Sequence, residues 1–119
     1  VGAGVLAHGG FEIPGKLWVP LRPDGSALVN YVGPPDSRNS FRRYSIYDVA
    51  QAADRPDPAF KDKIVLIGMT YAGSNELSYV PFLDGFTGER SCFGDEIQAN
   101  EVHTLLSGRP LRESGPTAI

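Results

Sequence analysis

The run Lys63–Glu76, KIVLIGMTYAGSNE, carries an apolar stretch into two glycines, Gly68 and Gly73, with the gap found in phosphate-cradling loops. Such a loop needs a lysine and then a serine or threonine directly after the second glycine. The lysine neutralises the outer phosphates and the hydroxyl holds magnesium. Here Ser74 and Asn75 occupy those two places, and no G-x-G-x-x-G fingerprint occurs. The nucleotide reading is therefore set aside. A weaker one stays: in open α/β sheets ligands sit beyond the carboxyl ends of parallel strands. Thr70, Tyr71, Ser74, Asn75 and Glu76 would project there, and all can hydrogen-bond. The plain alternative is that the glycines only turn the chain and the polar groups face water.

Three arginines, Arg38, Arg42 and Arg43, are interleaved with Phe41 and Tyr44. They could grip an anion through paired hydrogen bonds, or simply solvate a loop. The Asn30–Arg43 region, with Asn30, Arg42 and Arg43 as candidates, and the Gly68–Glu76 loop are where a ligand contact is expected. Asp95, Glu96 and Glu101 are the carboxylates that acid–base chemistry would draw on, but their places suit the start and the exposed face of a helix better. His103 lies on the same segment as Glu96, with His8 remote in sequence. A metal site wants at least three ligands, so no metal is expected. Cys92, the one cysteine, reads as a small packed residue, since a nucleophile needs a nearby base. No catalytic residue and no cofactor are assigned.

The elements that would position these residues follow from turn chemistry and periodicity. Residues 1–15 are glycine-rich and read as a helix end or a frayed terminus. Two strands are predicted about Pro23-Asp24-Gly25-Ser26, where proline presets φ and glycine supplies a positive one. The second of them, Ala27–Val32, is the stronger, and Gly33-Pro34-Pro35 ends it. Asp36–Tyr44 is polar and loop-like. Ser45 then resembles an N-cap, with Asp48 completing an approximate capping box for a helix over Ile46–Ala53 whose Ile46, Val49 and Ala53 turn inward. The segment AFKDKIVLIG, residues 59–68, with its near-continuous apolar run Ile64–Ile67, predicts a strand buried on both faces, as in a parallel sheet. A short strand is expected around Tyr79–Phe82. The last helix starts at Asp95-Glu96 and stops at Gly108, with Ile97, Val102, Leu105 and Leu106 on its apolar face.

The resulting fold class is α/β: a small sheet of three to five strands, mostly parallel or mixed, packed with two main helices. With 119 residues the chain is expected to form a single domain, residues 1–119, and to be an incomplete part of something larger, since Val1 stands where an initiator methionine would. A net charge of -3, from 11 basic and 14 acidic residues, argues against a nucleic-acid partner, which needs a concentrated basic face. No apolar stretch approaches the ~20 residues of a membrane span. No basic segment followed by an apolar core marks a signal peptide at the N-terminus.

Four blocks in order resemble a known family. ALVNYVGPP is similar to its small-apolar–Asn-Tyr-x-Gly-Pro strand, YSIYDVAQA to its Y-S-x-x-D-V helix, FKDKIVLIGMTYAGSNE to its Lys-x-Val-x-Ile-Gly strand and loop, and GDEIQANEVHTLLSGRPL to its closing helix. Together they resemble, over roughly residues 17–111, the second CHASE family of extracytoplasmic sensory domains of bacterial cyclases, histidine kinases and serine/threonine kinases.

The resemblance implies the C-terminal portion of a ligand-sensing domain, periplasmic, in an inner-membrane receptor whose parent is anchored by transmembrane helices. It implies no catalysis in this portion, although an output domain could be a cyclase or a kinase. Its partner would be an unknown small-molecule ligand, and a homodimer is expected. The chain departs from the family where Gln98 replaces a frequent histidine, Ala72-Gly73 a proline-glycine, and Glu76 a nearby aspartate. No metal or catalytic role is carried over. Two other function classes remain as alternatives: an α/β hydrolase-like fragment using Glu76 or Cys92, and a self-associating module that pairs its open sheet edges.

Overall fold

The computed structural model describes residues 4–7, 9–34, 38, 40–55, 58–69, 77–82 and 91–115. The chain is α/β: the described residues hold five short strands in two sheets and two helices, and their ladders are antiparallel where a mostly parallel or mixed sheet was expected. Two compact units form: one from Val1–Val32 with Gln98–Ile119, the other from Gly33–Ile97.

In the first unit, β1 (Val5–Ala7), β2 (Gly10–Ile13) and β3 (Leu17–Pro20) make a three-stranded meander in the order β1-β2-β3. Phe11 pairs with Leu6 on one side and Val19 on the other. Residues 1–15 were expected to be a helix end or frayed. Instead Gly9, at φ 73, turns the chain so that Ala7 meets Gly10, and a hairpin follows. The turn at 23–26 forms as its residues require. Asp24 Oδ1 accepts both the Ser26 amide (2.9 Å) and the Ser26 hydroxyl (2.6 Å), and this holds its carboxyl below its ordinary pKa.

Ala27–Val32, expected as a strong strand, makes only an isolated bridge, Leu28 to Leu111. Two of its amides, those of Asn30 and Val32, are taken by side chains of a helix and are lost to a ladder. That helix, α2 (Gly94–Ser107), begins within a residue of the predicted start. Asp95 and Glu96 occupy its first turn, and Gly108 follows its end at φ 64.

In the second unit, α1 (Ile46–Gln51) starts at Ser45, as expected, but Ser45 makes no side-chain cap bond, so the capping box does not form. The helix also ends two residues before Ala53. Ile46 and Ala53 are exposed and Val49 is half-buried, so the expected inward face is largely open. A single 3-10 turn at Pro58–Phe60 packs the Phe60 ring on Tyr44, centroids 4.8 Å apart. β4 (Leu77–Tyr79) pairs with β5 (Ser91–Phe93), two residues earlier than the predicted strand around Tyr79–Phe82.

The apolar run Lys63–Ile67 is not a strand. Ile64, Val65 and Ile67 are 66%, 53% and 81% exposed. A parallel strand is stable only between neighbours that take its backbone groups and layers that cover both faces. Among the described residues no strand flanks it. The core is correspondingly small: Val19, Val80 and Cys92 are the buried hydrophobic residues among those described, and Glu96, Asn100 and Thr104 are buried polar ones.

Candidate functional site

Helix α2 organises a buried polar cluster in the first unit. Residues four apart lie on one face of a helix, and here that face carries Asn100 and Thr104, 1% and 4% exposed. A buried amide or hydroxyl is stable only when its hydrogen-bonding groups are matched. Asn100 Oδ1 accepts the Val32 amide at 2.9 Å, and Thr104 Oγ1 accepts the Asn30 amide at 2.9 Å. The Thr104 hydroxyl donates in turn to the Asn100 carbonyl, 2.7 Å away. Two side chains of α2 thus read two alternate backbone amides, the spacing an adjacent strand would have used.

Asn30 is therefore held at both ends. Besides the amide on Thr104, its side-chain Nδ2 donates to the Arg109 carbonyl at 2.9 Å. Of the eight residues the sequence singled out, Asn30 is half-buried in the first unit, while Arg42 and Arg43 are exposed in the second. Thr70, Tyr71, Ser74, Asn75 and Glu76 lie outside the described residues. Arg38, described on its own, is exposed.

The glycine that opens the loop has a steric reason to be there. A β-carbon on Gly68 would lie 2.5 Å from Cβ and 2.7 Å from Oδ2 of Asp95, at the start of α2. Gly68 does not have positive φ, so what the position requires is space. Within this unit Cys92 is 6% exposed. Burial, and next the nearby Glu96 and Asp95 carboxylates, push its thiol up to about 11, with Arg43 opposing. A thiol kept protonated in this way does not suit nucleophilic attack, which uses the thiolate.

His103 is exposed on α2, and no group of three His, Cys, Asp or Glu residues that could hold a metal gathers among the described residues. An open groove of about 540 Å3 lies in the first unit beside Leu6, Gly9, Gly10, Leu21 and Arg22. The Arg22 guanidinium is already engaged by Glu113, through Nε at 3.1 Å and Nη2 at 3.3 Å, which raises its pKa. No helix among the described residues is long and apolar enough to cross a membrane.

The buried Asn100–Thr104 pair carried a sequence signal that apolar periodicity passes over. Both sit three and seven residues after Ile97, on the same face. Leu105 and Leu106, which the apolar pattern favoured, are 42% and 70% exposed.

No curated protein and no solved structure matches the chain significantly. The profile of the CHASE2 domain, an extracytoplasmic sensory domain family, matches residues 4–118, nearly the whole chain and slightly beyond the 17–111 region that the sequence blocks mark. The match includes helix α2, its polar face and the Gly68 approach, and on it this chain belongs to the CHASE2 domain family.

Proposed function

We propose that the chain is the ligand-sensing part of a bacterial transmembrane receptor. It would lie on the periplasmic side of the inner membrane and pass the occupancy of a small molecule to a cytoplasmic output domain such as a cyclase or a kinase. The observation that carries this reading is the CHASE2 match over residues 4–118, because that family is sensory and extracytoplasmic. A ligand shifts a conformational balance only if it binds two states unequally. The groups available for such a contact are Asn30, Arg42, Arg43 and the loop residues Thr70, Tyr71, Ser74, Asn75 and Glu76, all able to hydrogen-bond and three of them able to carry charge. Pairing of two copies would give a receptor of this kind a symmetric output.

The buried, raised-pKa Cys92 thiol supports this reading over a hydrolase-like one, which would draw on Cys92 or Glu76. Thermal-shift measurements on the complete sensory domain, against amino acids, nucleotides and organic anions, test the proposal. A sensor is expected to gain stability from at least one class, by an amount that rises with the logarithm of ligand concentration over Kd. Absence of any shift while the intact receptor still signals would count against a small-molecule ligand.

A further inference from the structure

The stretch after α2 is fastened along its length within the first unit. The Arg109 carbonyl accepts from Asn30 Nδ2, and Leu111 bridges to Leu28. The Arg112 guanidinium carbon stands 6.0 Å from the Trp18 ring centroid on β3. The Glu113 carboxylate receives Arg22 Nε and Nη2. These four fasteners differ in chemistry but share one location, the surface: Leu111 is 43% exposed, and the Arg22 and Glu113 side chains are 42% and 57% exposed. Exposed ion pairs and cation–π contacts are individually weak. A segment held by such contacts, one hydrogen bond and one isolated bridge opens before the whole fold does.

Asn30 joins these outer fasteners to the inner ones. Its backbone amide sits on Thr104 of α2, its side chain sits on Arg109, and two residues later the Val32 amide sits on Asn100. We propose that Arg109–Glu113 is a releasable strap pivoted on Asn30, so that loosening the strap also loosens the Asn30–Val32 segment from α2. A ligand group that accepted from Asn30 Nδ2 in place of the Arg109 carbonyl would open the strap. That step rests on the sensory reading, whereas the coupling between strap and segment does not.

Residue-resolved amide exchange on the chain tests the coupling without any ligand. Asn30→Ala is expected to raise exchange at Leu111 and Arg112 about tenfold while the β2–β3 ladder amides stay unchanged. Arg22→Ala removes only an exposed fastener, and is expected to raise exchange beyond its own contact, at the Asn30 and Val32 amides, by about threefold. The proposal is overturned if the effect of Arg22→Ala stops at residues 111–113. It is equally overturned if the ladder amides accelerate by the same factor, because the change would then be global. Should Asn30→Ala fail to fold, Arg22→Ala decides alone. A negative result here leaves the sensory reading standing, since the ligand screen addresses that separately.

Discussion

Gly68 and Asp95 approach so closely that any β-carbon on the glycine would lie 2.5 Å from that of the aspartate. The contact joins the end of the apolar run to the start of α2, within the second unit. It explains one glycine of the phosphate-loop lookalike by steric need alone.

Gly68→Ala should therefore destabilise the chain by about 1–3 kcal/mol, the usual cost of overpacking, and lower the urea midpoint. Gly115→Ala is the control. A β-carbon there meets nothing within 4 Å, so the change should stay within about 0.5 kcal/mol. Equal effects from the two substitutions would show that the Gly68 approach is not made.

Thr104→Val keeps the shape but removes the acceptor of the Asn30 amide. A buried donor left unmatched costs about 1–3 kcal/mol. Thr104→Ser keeps the hydroxyl and loses one methyl, worth about 0.8 kcal/mol. Chemical denaturation should rank wild type, then Ser, then Val. A valine variant as stable as the serine one would remove the hydroxyl from the account.

The Cys92 thiol holds its proton from its ordinary value of 9.0 up to about 11. Between those values the folded chain keeps a proton that the unfolded chain gives up. The stability it contributes is thus complete below pH about 9 and declines as the pH rises towards 11. Unfolding midpoints measured from pH 8 to 11 should fall more steeply for wild type than for Cys92→Ala. Parallel curves would contradict the assignment.

Ile67→Lys should alter stability by no more than about 0.5 kcal/mol, because the side chain is 81% exposed and makes no buried contact to lose. The same substitution should improve solubility by breaking an uncharged apolar run. A drop of several kcal/mol would mean that Ile67 is buried in solution.

Features set by neighbouring residues were legible in the sequence. The ends of α2 followed from Asp95, Glu96 and Gly108, and the 23–26 turn from Asp24 and Gly25, because each depends on atoms a few positions away. What misled were segments whose state depends on distant partners. Ala27–Val32 has the composition of a strand, yet Asn100 and Thr104 take the amides of Val32 and Asn30, 68 and 74 residues earlier. Lys63–Ile67 has the composition of a buried strand, but among the described residues it lacks the neighbours that would make it one. Of the proposed contact residues, Asn30 was named only as part of the Asn30–Arg43 region, and its side-chain amide is bound to the Arg109 carbonyl. Nothing local could reveal that Arg109 would be its partner.

The inverted face of α2 turns the usual rules of substitution around. Leu105 and Leu106 are the positions where a polar replacement should pass unnoticed, while Asn100 and Thr104 admit almost nothing. A library randomised along this helix would hold Asn100 and Thr104 fixed and let Leu105 and Leu106 drift.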